Sequence, residues 1–191
     1  MQKQINSYLL PEEITLIEKY MFNYPPGRIL EGGSLAGRLF CHLYEKFPRW
    51  HYVGISRWAQ IPTHTNKDGT ISIESGRSNF HDPAAKPAEG RPITIQDFKK
   101  NCPFAIAHDM PFENYVEMRD FDIISLGQYG LKVDWDKQFS HAEFLCKDTG
   151  YIVARYVKDP RFGEEIRRNI SRFRVVDQTE TSVVLQKNPD F

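Results

Sequence analysis

Glu31 opens the run Glu31-Gly32-Gly33-Ser34-Leu35-Ala36-Gly37, where a carboxylate meets three closely spaced glycines. Glycines at such a turn let backbone approach a ligand closely and leave the N–H groups of a following helix pointing at it. Glu31 can order this loop or accept a hydrogen bond from an ammonium group. A structural reading, in which Gly32, Gly33 and Gly37 only permit a tight turn, also stands, because one glycine-rich turn is weak evidence. Ser56 to Trp58, His108 to Met110 and Leu126 to Tyr129 are further polar, glycine or aromatic clusters. Asp109 suits an adenine amino group or a turn cap. His108 and His141 are suitable general bases or structurally bonded imidazoles.

These clusters need elements to hold them. Residues 12–23 carry Ile14, Ile17, Tyr20 and Met21 at helical spacing, with Pro11 where a first turn tolerates it. Pro25, Pro26 and Gly27 stop that helix, and 28–31 reads as a buried strand. After the turn, Leu39, Phe40, Leu43, Tyr44 and Phe47 resume helical periodicity before Pro48, and 51–56 follows as a second strand. The unit is βαβ, so its strands are expected to be parallel. From 57 to 92 scattered glycines and prolines predict a long inserted loop with a short hairpin, strand-like only at 70–74. Connections of that length are often lids, and equally often plain insertions. Then come a short helix at 96–101, strands at 104–108 and 121–126, an amphipathic helix at 136–147 capped by Gly150, a strand at 151–154, a charged helix at 163–172 and a closing hairpin. In an open α/β sheet the ligand crevice lies beyond the carboxyl ends of the strands, which is where the four clusters fall.

The 191 residues fit one domain, with an N-terminal helical segment over about 1–26. Twenty-five basic and 25 acidic side chains cancel, and no tight basic and aromatic stripe favours nucleic acid; a small molecule is the expected partner. Cys41, Cys102 and Cys146 have neither zinc nor disulfide spacing, and no leader or apolar span is evident, so a cytoplasmic setting without membrane is expected. His64 and His81 share the loop with Asp68 and Asp82 in no recognisable zinc pattern, so no metal is expected. Homo-oligomerisation is compatible with everything above.

The stretch RILEGGSLAGRLFCHLYEKFPRWHYVGIS resembles the first motif and second strand of the class I S-adenosylmethionine-dependent methyltransferases. AIAHDMPF is similar to their third-motif region, and DFDIISLG, a helix and DTGYIVARY to their fourth and fifth strands, with the closing hairpin matching their reversed last strand. The resemblance implies an α/β, Rossmann-like methyltransferase sandwich, with a mostly parallel central sheet and an antiparallel C-terminal hairpin strand. It implies methyl transfer from S-adenosylmethionine by direct displacement to a small molecule, with S-adenosylhomocysteine as product. Glu31, Gly32, Gly33, Ser34 and Gly37 would line the methionine part, Asp109 and Met110 would meet the adenine, and Leu126 and Gly127 would flank the sulfonium. Two departures stand out: Leu35 replaces the usual middle glycine, and Ser56 the acid that grips the ribose hydroxyls. A serine there forfeits about 1 to 2 kcal/mol against a carboxylate, which supports an alternative, a catalytically inactive binding or regulatory module. Tyr129, with Gln128, is placed to touch the acceptor, and His141 or His108 would serve a hydroxyl acceptor as base. Asp134, Trp135 and Asp136 would favour a cationic acceptor, or Asp134 or Asp136 caps the next helix.

Overall fold

Alternating apolar helices and short buried strands build one sheet with helices on both faces. The computed structural model describes residues 11–34, 36–58, 63–65, 71–73, 94–127, 134–155 and 163–188. In chain order the elements are α1 (Pro11–Phe22), β1 (Arg28–Gly32), α2 (Arg38–Lys46), β2 (His51–Ser56), β3 (Thr63–Thr65), β4 (Ile71–Ile73), α3 (Ile95–Asn101), β5 (Ile106–Asp109), a 3-10 turn (Phe112–Asn114), β6 (Phe121–Leu126), α4 (Trp135–Leu145), β7 (Cys146–Arg155), α5 (Gly163–Ile170), β8 (Phe173–Gln178) and β9 (Ser182–Lys187).

The seven-stranded sheet runs β5-β2-β1-β6-β7-β9-β8. All strands are parallel except β9, which lies antiparallel between β7 and β8. The chain moves outward from β1 through β2 to β5, then returns past β1 to β6. The crevice between β1 and β6 is therefore the point at which the strand order reverses, the place where open α/β sheets bind ligands. β3 and β4 pair antiparallel as the short hairpin expected in the loop.

Side-chain alternation divides the core by face. Ile29, Ile123, Val153 and Val184 pack with Ile17 and Met21 of α1, Phe40 and Leu43 of α2, and Phe98 of α3. Leu30, Ile124, Ile152 and Leu185 face the other way, toward Phe139 and Leu145 of α4 and Ile166 of α5. Thr94 closes the start of α3 with a full capping box, its hydroxyl accepting from the Asp97 amide while Asp97 accepts from the Thr94 amide. Asp134 caps α4 by accepting from the Lys137 amide, as the capping alternative anticipated, and Trp135 is buried rather than on a rim.

Several expected boundaries shift: the strand expected at 104–108 runs Ile106–Asp109, the helix expected at 163–172 ends at Ile170, and the strand expected at 151–154 begins at Cys146. Gly150 does not cap a helix: α4 ends at Leu145, and β7 begins at once, carrying Gly150 in its interior. A Cβ on Gly150 would stand 2.9 Å from the Phe121 carbonyl oxygen and 3.0 Å from that of Asp122, where the β6–β7 register shifts. This glycine serves close approach of two strands.

Candidate functional site

β1 carries Glu31 to the switch point on the face covered by α1 and α2, because Ile29, two residues earlier, packs on that face. Its register neighbour across β6 is Ser125. Both are buried, Glu31 at 3% exposure and Ser125 at 0%. Glu31 Oε2 and Ser125 Oγ have no hydrogen-bond partner among the described residues. Burial raises the Glu31 carboxyl above the usual carboxylate range, against the charge of Arg155 and the Ser34 hydroxyl, which lower it.

The turn after β1 spends its amides internally. Gly33, at φ +88°, and Ser34 both donate to the Ile55 carbonyl of β2, at 2.7 and 3.3 Å, and Gly37 donates to the Ser34 carbonyl at 2.8 Å. The Ser34 hydroxyl donates to the Glu31 carbonyl at 2.9 Å. Gly37, at φ +81°, starts α2; a Cβ there would meet Cys102 Sγ at 2.4 Å and the Phe98 ring at 3.1 Å. Its missing side chain thus faces the core beneath α3. Cys41 and Cys102 lie beside it with their sulfurs 3.3 Å apart.

Arg155, the last residue of β7, was not among the residues singled out by sequence. Its Nη2 donates to Glu31 Oε1 at 3.0 Å, with both side chains at or below 4% exposure. A Cβ on Gly127, just past β6, would lie 2.3 Å from Arg155 Cζ, so the guanidinium packs against the Gly127 backbone. Antiparallel pairing sets Ser182 of β9 beside Arg155, and the Ser182 hydroxyl donates to Glu13 of α1 at 3.3 Å. Glu13 is itself fully buried, and its charge adds to the upward push on Glu31. Removing one member of such a buried pair costs about 3–5 kcal/mol through the charge left behind.

On the other side of β1, Ser56 ends β2 directly beside Asp109, its register partner at the end of β5. The Met110 amide donates to the Ser56 carbonyl at 3.1 Å. Asp109 is exposed and Ser56 half-buried, so a carboxylate stands one strand away from the position where the acid was expected. Leu126 is buried under α4 and Gly127 donates to the Gly32 carbonyl at 3.2 Å, tying β6 to β1 at the crevice.

The two histidines meet around Tyr115. His108 Nδ1 is 3.3 Å from Glu117 Oε1, and its ring lies 5.0 Å from that of Tyr115. His141 Nε2 bonds the Tyr115 carbonyl at 2.7 Å, so that nitrogen carries the proton. His141 sits seven residues from the α4 cap, about 10 Å down the helix; His108 is at a strand end. Burial pushes the Tyr115 phenol up to about 12, keeping it neutral. Tyr129, Gln128 and Leu35 lie outside the described residues, as does most of the 57–92 loop, including His81, Asp68 and Asp82. Among the described residues no three His, Cys, Asp or Glu side chains are grouped to hold a metal ion, and no helix is long and apolar enough to cross a membrane.

No family model matches the chain, and no curated protein matches it. Solved structures do. The precorrin-6y C5,15-methyltransferase of Geobacter metallireducens superposes with a TM-score of 0.59 at 9% identity, covering 96% of this chain and 93% of its own. The N-methyltransferase NodS of Bradyrhizobium japonicum, in complex with S-adenosyl-L-homocysteine, gives 0.58 at 14% identity over 93% of this chain and 86% of its own. A fibrillarin/Nop5p complex gives 0.58 at 10% identity over 98% and 91%. At these identities the likeness is one of fold. That fold is the α/β, Rossmann-like methyltransferase sandwich, mostly parallel with an antiparallel strand in its C-terminal hairpin.

Proposed function

We propose that the chain binds S-adenosylmethionine at the ends of β1, β2, β5 and β6 and passes its methyl group to a small-molecule acceptor, leaving S-adenosylhomocysteine. The observation that carries this reading is the pair of buried, unpartnered oxygens, Glu31 Oε2 and Ser125 Oγ, at the switch point of this fold. An ammonium group is a donor that both can share. When bound, S-adenosylmethionine supplies a sulfonium methyl that an in-line lone pair can displace.

The residues present fit that ligand side by side along the crevice. Glu31 and Ser125 would hold the ammonium, with Gly32, Gly33 and Ser34 shaping the turn around it. Asp109, beside Ser56, is the carboxylate available to the ribose or adenine, with Met110 against the base. Leu126 and Gly127 would flank the sulfonium, the one stretch that fits only if Arg155 moves off Gly127. For a hydroxyl acceptor, His108 at the end of β5 is the better-placed base; Tyr129 remains assigned to the acceptor by sequence. Neutral overall charge and free thiols at Cys41, Cys102 and Cys146 support a small substrate and a reducing, cytoplasmic setting.

A second reading has a specific observation behind it. Arg155 already neutralises Glu31, and Ser56 replaces the ribose acid, as in a module that keeps the fold without the reaction. Calorimetric titration with S-adenosylmethionine and S-adenosylhomocysteine separates the two. Binding that weakens with Glu31→Gln and tightens about tenfold with Ser56→Asp, together with methylation of an acceptor in a screen, supports the enzyme. Absence of binding by wild type and by Ser56→Asp refutes it.

A further inference from the structure

The guanidinium of Arg155 is a cationic group placed at the switch point, held by two side-chain contacts on a backbone that is itself paired. It bonds Glu31 Oε1 at 3.0 Å, it lies against Gly127 so closely that a Cβ would stand 2.2 Å from Nε and from Nη2, and its backbone is held by the β7–β9 pairing with Ser182. At 3% exposure it is buried in the crevice rather than lining an open surface. Glu31 Oε2 and Ser125 Oγ are left without partners beside it, so the guanidinium satisfies only part of what the crevice offers.

A ligand with an ammonium and a sulfonium needs the same carboxylate and the same backbone surface. With Arg155 in place such a ligand would bring cation against cation in a water-poor site, where like charges repel most strongly. We propose that Arg155 is an internal gate: its guanidinium takes, on Glu31 and against Gly127, the place of a ligand's cationic end, and a cationic ligand enters only as that side chain leaves. The gate rests on the reading that this crevice is the S-adenosylmethionine site. It sets specificity as well as affinity, since a ligand whose matching end is neutral does not compete for Glu31. Arginine suits the task because its long stem can carry the charge away while β7 stays paired.

The test compares wild type with Arg155→Ala by calorimetry with S-adenosylmethionine, and by thermal unfolding with methylguanidinium as a probe of the vacated place. The expected result is tighter binding by Arg155→Ala, in the range of about 5- to 150-fold that coupled equilibria usually span, and competition between methylguanidinium and S-adenosylmethionine in that variant alone. Equal or weaker binding by a folded Arg155→Ala overturns the gate, because Arg155 would then be holding Glu31 for the ligand. If neither protein binds S-adenosylmethionine while methylguanidinium stabilises Arg155→Ala and not Glu31→Gln/Arg155→Ala, the gate stands and the cofactor reading fails. If methylguanidinium also does nothing, the gate fails too. Should Arg155→Ala not fold, the wild-type side-chain Nε–H resonance of Arg155, assigned through Arg155→Lys, is followed during titration with S-adenosylmethionine. A shift at saturation supports displacement, and an unmoved resonance in a saturated protein, or no saturation at all, refutes it.

Discussion

Replacing Gly37 with alanine separates a glycine that serves a ligand from one that serves the core. Two costs are legible in the geometry. A non-glycine residue at φ +81° pays about 1–2 kcal/mol for the left-handed conformation. The new methyl, placed 2.4 Å from Cys102 Sγ and 3.1 Å from the Phe98 ring, forces repacking worth about 1–3 kcal/mol. Their sum is about 2–5 kcal/mol, a large share of the stability of about 5–15 kcal/mol expected of a domain. Urea unfolding followed by tryptophan fluorescence measures it. Cys102→Ala then supplies the decisive comparison, because it removes the sulfur without touching the backbone. The double variant is expected to be less destabilised than the two single variants summed, by about 1–3 kcal/mol, with the conformational cost left over. A loss below about 1 kcal/mol for Gly37→Ala, or strict additivity with Cys102→Ala, refutes the packing argument. Unchanged stability with impaired S-adenosylmethionine binding would instead assign Gly37 to the ligand.

Other predictions follow from single contacts. Lys19 Nζ lies 2.6 Å from Asp177 and the Tyr20 hydroxyl donates to the same carboxylate at 3.2 Å, which holds its pKa below the ordinary value, the Lys19 bond being the larger cause. A depressed carboxylate stabilises above its unfolded pKa of about 3.9 and loses that contribution as pH falls through the lower folded value. Asp177→Asn is therefore expected to cost about 0.5–1 kcal/mol near pH 7, screened as it is by solvent, and the gap in urea midpoint should close in strong acid. Thr94→Ala removes the α3 capping box and should cost about 1 kcal/mol in the same assay, with Thr94→Ser recovering most of it. Among the three thiols, Cys41 should alkylate first with iodoacetamide: the Cys102 hydrogen bond lowers its pKa, whereas the Cys102 thiol is raised, mainly by that same bond, and burial pushes Cys146 up to about 12. Mass-mapped labelling in which Cys146 leads would contradict this.

Most of the sheet was legible because its signals were local. The apolar runs at 28–31, 51–56 and 121–126 are short, with Gly27 and Gly32 around the first, Pro48 shortly before the second and Gly127 after the third, and each became a strand with those bounds or one residue more. Gly150 misled because a glycine after an amphipathic run has the signature of a helix cap, while the strand pairing that demands it lies on Phe121 and Asp122. Arg155 was missed for a different reason. Its partner Glu31 is 124 residues away in the chain, and no spacing rule connects them. A signal was nevertheless present: Tyr151, Val153 and Arg155 share one face of β7, and a charge at the end of a buried face requires a counter-ion. The Tyr115 meeting point of His108 and His141 had no such signal, since Tyr115 sits in an irregular segment.

The position of β9 bears on how the molecule is made. It lies in the interior of the sheet, covering β7 with Val183, Val184 and Leu185, yet it follows every other strand in sequence. A chain growing from its N-terminus therefore carries β7 with a bare hydrogen-bonding edge until β9 has been made, an edge that another nascent chain can pair with. The same late strand brings Ser182 alongside Arg155, so the crevice acquires its finished wall only once β9 has paired with β7. Variants that lack the β8–β9 hairpin should accumulate as aggregates on the ribosome or soon after release, rather than as ligand-competent proteins.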